Sequence, residues 1–195
     1  MATSPGHAGS VIMFMGRTAV AELIVITGPP GAGKSSVAEH LTNSFTPSAL
    51  VPGDSFFAMI KQGYILPWLP KSHRQNTVII EAAAAAAGRL TEICSVIYDG
   101  VLGPWFLPTF VRATGLADIH YVILLPPLEV CLERVQSRVD HAFRDQSATR
   151  DLYEQFANAA VDSRHVICRP HDRPAQLTEF VRSNLDEGRF RYSAV

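Results

Sequence analysis

Short apolar runs alternate with longer amphipathic stretches along this chain. The runs are rich in β-branched residues, as buried strands are, and they predict strands at 23–27, 49–52, 95–98, 119–125 and 164–168. Between them, apolar residues recur at helical spacing, which predicts helices at 36–44, 56–62, 71–90, 104–112, 129–138, 151–160 and 175–187. This alternation predicts an α/β fold in which helices cover both faces of a parallel sheet.

Three details of the pattern lead to further predictions. We expect Asp54 or Ser55 to cap the helix predicted over 56–62. Pro108 should kink or end the helix predicted over 104–112, because proline lacks the N–H that a helix interior needs. The alanine run at 82–87 indicates either that another helix or the sheet approaches closely, or only that alanine favours helix.

The periodicity also suggests how the chain is organised. We predict a flexible leader over 1–20, a single domain over 21–188 and a tail over 189–195. Residues from about 138 to 150 are polar and lose the helical period. We predict a lid there, because ligand-covering segments are commonly mobile loops of this kind.

Composition narrows the class of partner. The chain has 17 basic and 18 acidic residues, so no basic excess indicates nucleic acid and no polybasic run indicates a membrane surface. No apolar run approaches the roughly 20 residues that span a bilayer. Three widely spaced cysteines, Cys94, Cys131 and Cys168, predict reduced, buried thiols in a cytoplasmic protein. We expect a monomer or a homodimer that binds a small molecule.

The motif with the clearest chemistry follows the first predicted strand. Its pattern G-x-x-x-x-G-K-[ST] is that of a phosphate-binding loop, in which glycines let backbone N–H groups surround an anion. Lys34 would reach the β- and γ-phosphates and Ser35 would ligate Mg²⁺. The predicted nucleotide-binding residues of this motif are Gly28, Pro29, Pro30, Gly31, Ala32, Gly33, Lys34, Ser35 and Ser36.

Two aspartates follow the next two predicted strands. Asp54 could accept a proton from a substrate hydroxyl or hold Mg²⁺ through water, or it could simply cap a helix. Asp99 ends an apolar strand, as an acid that binds Mg²⁺ does in phosphate-loop proteins, and it could also face the substrate. The alternative for Asp99 is a turn residue before Gly100.

Arginines flank the predicted lid. Arg138 stands where the helix runs into the lid, and we predict that it stabilises the transferring phosphoryl group. Arg134 and Arg144 are further candidates for nucleotide contact. The alternative for each of them is a solvated helix end. After the fifth strand, the run 168–171 could touch the adenine ring, with position as its only support.

A Pro- and aromatic-rich stretch precedes the long helix predicted over 71–90. Its candidates for substrate contact are Trp68, His73 and Arg74, together with Asp54 and Asp99. His73 and Arg74 could hold a polar or anionic substrate, and Trp68 could supply an apolar wall. The alternative is an exposed basic first turn of the helix.

The order of these features along the chain resembles that of the small P-loop kinases. These are the kinases of the gluconate-kinase, shikimate-kinase, adenylate-kinase and chloramphenicol-phosphotransferase type. The resemblance covers about residues 23–187 and rests on GPPGAGKSS, Gly53-Asp54-Ser55, Tyr98-Asp99-Gly100 and Glu133-Arg134-x-x-x-Arg138. The chain looks most like uncharacterised bacterial kinase-like ATP-binding proteins that share an insert in the style of GYILPWLPKSHRQN, at 63–76. It lacks the further Arg and Gly-Gly motifs of shikimate kinases, and the gluconate-kinase signature is incomplete.

The resemblance implies a three-layer α/β/α P-loop NTPase fold with a lid and a five-stranded parallel sheet in the order 2-3-1-4-5. It also implies ATP with Mg²⁺, and an aspartate in the position of Asp54 that acts as base in the antibiotic phosphotransferases. We therefore predict an ATP-dependent phosphotransferase that uses Lys34, Asp54 and Arg138 on a small-molecule hydroxyl. The alternative is a nucleotide-binding regulatory ATPase or switch without such an acceptor. No Asn/Thr-Lys-x-Asp motif for guanine is present.

Overall fold

The computed structural model of the chain describes residues 21–137 and 144–193. Five parallel strands form the body of its sheet: β1 (Leu23–Thr27), β2 (Ser48–Pro52), β3 (Ser95–Asp99), β4 (Asp118–Leu124) and β5 (Val166–Ile167). Their order is β2-β3-β1-β4-β5, so the predicted order 2-3-1-4-5 is confirmed. The leader predicted over 1–20, residue Arg138 and the lid residues up to 143 lie outside the described part.

A sixth strand differs from the sequence prediction. Residues Arg191–Ser193, where we expected only a tail, form β6 and pair antiparallel with β4. Three residues carry too little pattern to identify a strand. The strand forms because the first residues of β4 leave an open edge beside the short β5, and β6 satisfies the backbone groups of that edge.

Helices cover both faces of the sheet. They are α1 (Lys34–Thr42), α2 (Gly53–Phe57), α3 (His73–Leu90), α4 (Leu107–Thr114), α5 (Leu128–Ser137), α6 (Gln146–Ala157) and α7 (Pro174–Asp186). Alternate residues of β1 enter two separate cores. Leu23 and Val25 face the core that contains α3 and α4, whereas Ile24 and Ile26 face the core that contains α1 and α7. The predicted three-layer arrangement is confirmed, and burial on both faces explains the continuous apolar runs.

The alanine run of α3 packs against α4. Ala83, Ala84 and Ala87 are buried there, and Gly88 touches the end of α4 so closely that an added Cβ would lie 2.1 Å from the carbonyl oxygen of Thr114. Close helix approach therefore explains these small residues better than helical preference alone.

The start of two helices differs from the prediction. The helix after β2 is the short α2, which begins at Gly53 after Pro52 and has no side-chain cap. Asp54 is therefore inside the first turn and is not the cap that we expected. Pro108 lies in the first turn of α4, where its missing N–H costs no hydrogen bond, so it neither kinks nor ends the helix.

Two further expectations need correction. Residues 146–150, which we assigned to the aperiodic lid, form the start of α6, where the Asp145 carboxylate accepts a hydrogen bond from the backbone N–H of Ala148 at 3.0 Å. Cys94 and Cys131 are buried as predicted, and burial raises the pKa of Cys131 to about 11. Cys168 is exposed, because β5 ends one residue earlier. No helix in the described residues is long and apolar enough to cross a membrane.

Replacing Glu22 with glutamine should remove an acid-sensitive contribution to stability. Its Oε1 atom lies 3.3 Å from Nε2 of the buried His120. The hydrogen bond with His120 lowers the pKa of Glu22 from its ordinary value of 4.5, against the opposing effect of burial. A carboxyl group whose pKa is lower in the folded than in the unfolded protein stabilises the native state at pH values above its ordinary pKa. This contribution is lost as the pH falls through the pKa of the folded state.

Urea unfolding from near-neutral pH down to about pH 3 measures this effect. The natural protein should lose more free energy of unfolding over that range than Glu22→Gln. The exposed Glu154 of α6 supplies a control, since Glu154→Gln should follow the natural protein. Parallel pH profiles for Glu22→Gln and the natural protein would contradict the prediction.

Candidate functional site

The phosphate-loop motif lies between β1 and α1, where its sequence predicts it. Gly28 and Gly31 have φ angles of +141° and +81°, which side chains rarely adopt. A Cβ added at Gly28 would lie 2.1 Å from the carbonyl oxygen of Leu124, and one at Gly31 would lie 2.2 Å from that of Cys131. Only glycine fits at both positions, so the loop packs directly against the end of β4 and against α5.

Positive groups surround the loop. Helix α1 begins at Lys34, so its first backbone N–H groups and the positive end of its dipole face the loop. The Lys34 ammonium donates a hydrogen bond to the carbonyl oxygen of Pro29 at 3.1 Å. On the other side, Nη1 of Arg134 donates to the carbonyl oxygen of Gly31 at 3.4 Å. The structure thus places two cationic side chains and a helix N-terminus around the phosphate loop.

Asp99 lies at the centre of the sheet edge beside this loop. In the sheet register it pairs with Ile26 of β1 and with Pro52 of β2. Burial raises the pKa of Asp99, while a hydrogen bond with Ser35 and the charge of Lys34 oppose that rise. The two residues that the sequence predicted as metal ligands, Ser35 and Asp99, therefore lie beside each other.

The chemistry of this pair fits a magnesium ion. Atom Oδ1 of Asp99 is buried and has no hydrogen-bond partner among the described residues. A carboxylate oxygen of this kind is costly unless an ion or water satisfies it. No group of three His, Cys, Asp or Glu side chains in the described part of the chain could hold a metal by itself. One carboxylate plus one hydroxyl suits Mg²⁺, which usually takes its remaining ligands from phosphates and water.

Asp54 lies at the same edge of the sheet, one strand further out. It follows β2, whose last residue Pro52 is in register with Asp99, and its charge acts on the Asp99 carboxyl. Asp54 is exposed and makes no hydrogen bond through its side chain to another described residue. A carboxylate that is neither a cap nor an ion-pair partner is available to a proton of a bound molecule.

A cavity of about 330 Å³ opens beside the phosphate loop, between the ends of β4 and β5. Its walls combine apolar side chains with the polar side chains of Ser36, Arg134, Ser137, Arg169 and Asp172. Arg169 is held by an ion pair with Asp172 and by the ring of Phe180, whose centroid lies 4.5 Å from the guanidinium carbon. Its size is that of a small-molecule site, and its combination of apolar and polar groups can accommodate a nucleobase.

Of the run 168–171 that we associated with adenine, Arg169 lines this cavity. Asp172 and Leu177 also line it, and the sequence reasoning missed both. The signal that could have found them is position, because they follow the last parallel strand at the carboxyl edge of the sheet. A slightly larger groove, about 360 Å³ between α1 and α7, contains no phosphate-loop residue, and we assign it no role.

The remaining predicted site residues lie around the start of α3 and ahead of α6. Trp68 is half-buried in the loop before α3, and Arg74 is exposed. His73 stacks on Phe106, with ring centroids 5.5 Å apart, so the start of α3 meets the segment after β3. Arg144 is exposed ahead of α6. Of the three predicted lid arginines, the structure places Arg134 at the phosphate loop, whereas Arg138 lies outside the described residues.

Sequence reasoning also missed how the segment after β3 is anchored. The carbonyl oxygen of Leu102 accepts hydrogen bonds from Oγ1 of Thr27 at 3.1 Å and from Oη of Tyr121 at 2.7 Å. The backbone N–H of Leu102 donates back to Thr27 at 2.8 Å. These contacts fix the segment that follows Asp99. A buried hydroxyl at the end of an apolar strand is the signal that could have indicated them.

Comparison with known proteins identifies the family of this chain. The family model described as an AAA domain matches residues 24–155. The chain belongs to this AAA-domain family. The matched range includes the phosphate loop, Asp54, Asp99 and Arg134. A search of curated protein sequences finds no significant match.

Solved structures with this fold include several small kinases. A sugar kinase from Janibacter sp. HTCC2649 superposes with a TM-score of 0.66, at 19% identity over 85% of this chain and 95% of that one. The tunicamycin resistance protein of Deinococcus radiodurans gives 0.60, with the same identity and coverage. A gluconokinase from Sinorhizobium meliloti 1021 gives 0.56, at 18% identity over 87% of this chain and 97% of that one. The AAA-domain chain thus has the P-loop NTPase fold of the small kinases, as its motifs predicted.

Proposed function

We propose that this AAA-domain protein transfers the γ-phosphoryl group of ATP to a hydroxyl group of a small molecule, with Mg²⁺ as cofactor. The observation that carries the proposal is the alignment of three groups at one sheet edge. The phosphate loop follows β1, and Asp99 ends β3 beside Ser35. Asp54 follows β2, and its carboxylate has no hydrogen-bond partner among the described residues. These three strands are neighbours in the sheet. A regulatory NTPase has no need of a carboxylate on the outer side of that array.

Each residue has a role that follows from its position. Backbone N–H groups of the loop and the Lys34 ammonium would hold the phosphates, and Arg134 would add positive charge beside Gly31. Ser35 and Asp99 would hold the metal ion, which supplies neutralisation of phosphate charge. Asp54 would take the proton of the acceptor hydroxyl. At the same time the hydroxyl oxygen of the acceptor would bond to the γ-phosphorus, and the bond between that phosphorus and ADP would break.

The proposal extends to the parts of the site that flank this array. Arg138, Arg144 and the predicted lid would add charge and exclude water during transfer. The cavity lined by Arg169 and Leu177 would hold the adenine. The three free cysteines suit a reducing compartment such as the cytoplasm, and we place the reaction there, in a monomer or a homodimer.

A panel of hydroxylated metabolites and antibiotics tests the function through ADP release and product mass. At least one acceptor should accelerate ADP release over the acceptor-free rate and gain one phosphoryl group. Omitting Mg²⁺ should suppress this reaction. If ATP is hydrolysed to free phosphate at one slow rate whichever acceptor is present, the protein is a nucleotide-driven switch and the proposal fails.

A further inference from the structure

The acceptor side of the site has an unusual concentration of exposed apolar side chains. The structure exposes six large apolar residues in its described part, and four of them lie in the segments that follow β2 and β3. These four, which we call the apolar patch, are Met59 (65% exposed), Tyr64 (42%), Leu66 (43%) and Trp105 (42%). Clustered exposed apolar groups beside a functional site indicate a binding surface.

The loop that carries Tyr64 and Leu66 is held in place. The side-chain amide of Gln75 accepts a hydrogen bond from the N–H of Ile65 at 2.9 Å and donates to its carbonyl oxygen at 2.7 Å. Asn76 and Ser72 donate to the carbonyl oxygen of Pro67 at 2.6 and 2.8 Å. The first turns of α3 therefore fix this loop, and its apolar side chains are exposed in an ordered conformation.

Contacts join the two segments into one surface. His73 stacks on Phe106, which brings the start of α3 against the segment after β3, and Trp105 packs on Phe156 of α6 at 5.3 Å between ring centroids. The segment after β3 thus lies between α3 and α6 and contacts both helices. Asp54 lies beside this segment, because Pro52 at the end of β2 is in register with Asp99, the residue that directly precedes the segment.

The residues between Lys61 and Lys71, and those between Asp99 and Arg112, carry no charge for an anionic acceptor. Residues 62–70 and 100–111 contain no Lys, Arg, His, Asp or Glu. Lys61 precedes the first segment, and its ammonium donates a hydrogen bond back to the carbonyl oxygen of Ala58 at 2.8 Å. Recognition of a carboxylate or a phosphate normally uses arginine or lysine directed at the anion.

We propose that the acceptor is an uncharged hydroxyl compound with an aromatic or aliphatic body, which the apolar patch holds while its hydroxyl group faces Asp54. This inference rests on the proposed function and specifies its substrate class. It places His73 and Arg74 outside direct recognition of an anion, in contrast to one reading of the sequence. The reaction itself is unchanged: the acceptor oxygen bonds to phosphorus, ADP leaves and the proton goes to Asp54.

A matched pair of acceptors tests the charge preference. Methyl para-(hydroxymethyl)benzoate and the free para-(hydroxymethyl)benzoate anion share the same ring and hydroxyl group and differ in charge. The neutral ester should have the higher kcat/KM, by at least about tenfold, and gluconate should be a poor acceptor. Higher kcat/KM for the anion or for gluconate would overturn the inference and leave the kinase function standing.

Binding without turnover separates the two proposals. Both tryptophans of the chain, Trp68 and Trp105, lie in these segments, so their fluorescence reports on occupancy of the patch. The neutral ester should change it saturably in the presence of ADP, and the anion should not. Saturable binding without phosphorylation of any acceptor would refute the proposed function alone, whereas absence of binding by the ester would refute the inference.

Side-chain truncation tests the surface itself. Leu66→Ala should raise KM for the neutral ester by roughly tenfold while kcat changes little, because the side chain contributes apolar contact and no chemistry. Ile93 is 72% exposed in the turn before β3, at the opposite end of the sheet, so Ile93→Ala is the matched control. Equal KM values for the two variants would overturn the role of the patch.

Discussion

Replacing Lys34 with alanine should reduce ATP-dependent product formation by about a thousandfold, the upper range for loss of one preorganised donor to a developing charge. The folded structure should survive, because the loop conformation depends on the glycines and on their contacts with Leu124 and Cys131. Steady-state kinetics with any acceptor from the panel, together with thermal unfolding, measures both effects.

Lys61→Ala is the matched control for this change. In both residues the ammonium donates a hydrogen bond to a nearby backbone carbonyl, that of Pro29 for Lys34 and that of Ala58 for Lys61. Only Lys34 lies at the phosphate loop. Turnover of Lys61→Ala should stay close to that of the natural protein. Comparable losses in the two variants, or a Lys34→Ala enzyme with near-normal turnover, would rule out the assigned role of Lys34.

Changing Asp54 to asparagine should lower kcat by 10² to 10⁴-fold, the range of general base catalysis, with little effect on KM for ATP. The amide keeps the size of the side chain but cannot take a proton from the acceptor. Since Asp54 caps no helix and is exposed, the substitution should leave stability nearly unchanged. Initial rates at varied ATP and acceptor concentrations measure the effect.

Two further variants make this result specific. Asp186→Asn changes an exposed aspartate at the end of α7 and should leave kcat as it is. Asp99→Asn should instead raise the Mg²⁺ concentration needed for half-maximal activity, because Asp99 offers an unpaired oxygen beside Ser35. If Asp54→Asn weakened ATP binding as much as it slowed turnover, Asp54 would not be the base.

The phosphate loop could be predicted because its cause is local, whereas the strand order was predicted from the resemblance to small P-loop kinases. Glycine spacing, one lysine and one serine determine an anion site wherever a strand precedes and a helix follows. Asp99 was predictable for the same reason, since it ends an apolar strand. Several helix boundaries could not be predicted from the sequence. Asp54 looked like a cap, but α2 begins at Gly53 because the chain turns into helix directly after Pro52.

Some site residues depend on contacts that no local pattern records. The sequence favoured Arg138 over Arg134, but the packing of α5 against the loop brings Arg134 to Gly31, and Arg138 lies outside the described residues. Arg169 lines the cavity beside the phosphate loop and is held there by its contacts with Asp172 and Phe180. Strand β6 forms because β4 has an open edge that a short segment 71 to 75 residues further along the chain can fill.

By itself, the sequence determined that this chain is an α/β protein with a phosphate loop, because periodicity and glycine spacing act over a few neighbouring residues. The tertiary structure decided what surrounds the loop. It brought Ser35 beside Asp99 and left the Asp54 carboxylate without a hydrogen-bond partner in the part of the chain that the structure describes. It also turned an aromatic loop into an ordered surface through Gln75 and Asn76. These arrangements join residues distant in the chain, and only folding of the sheet brings such residues into contact.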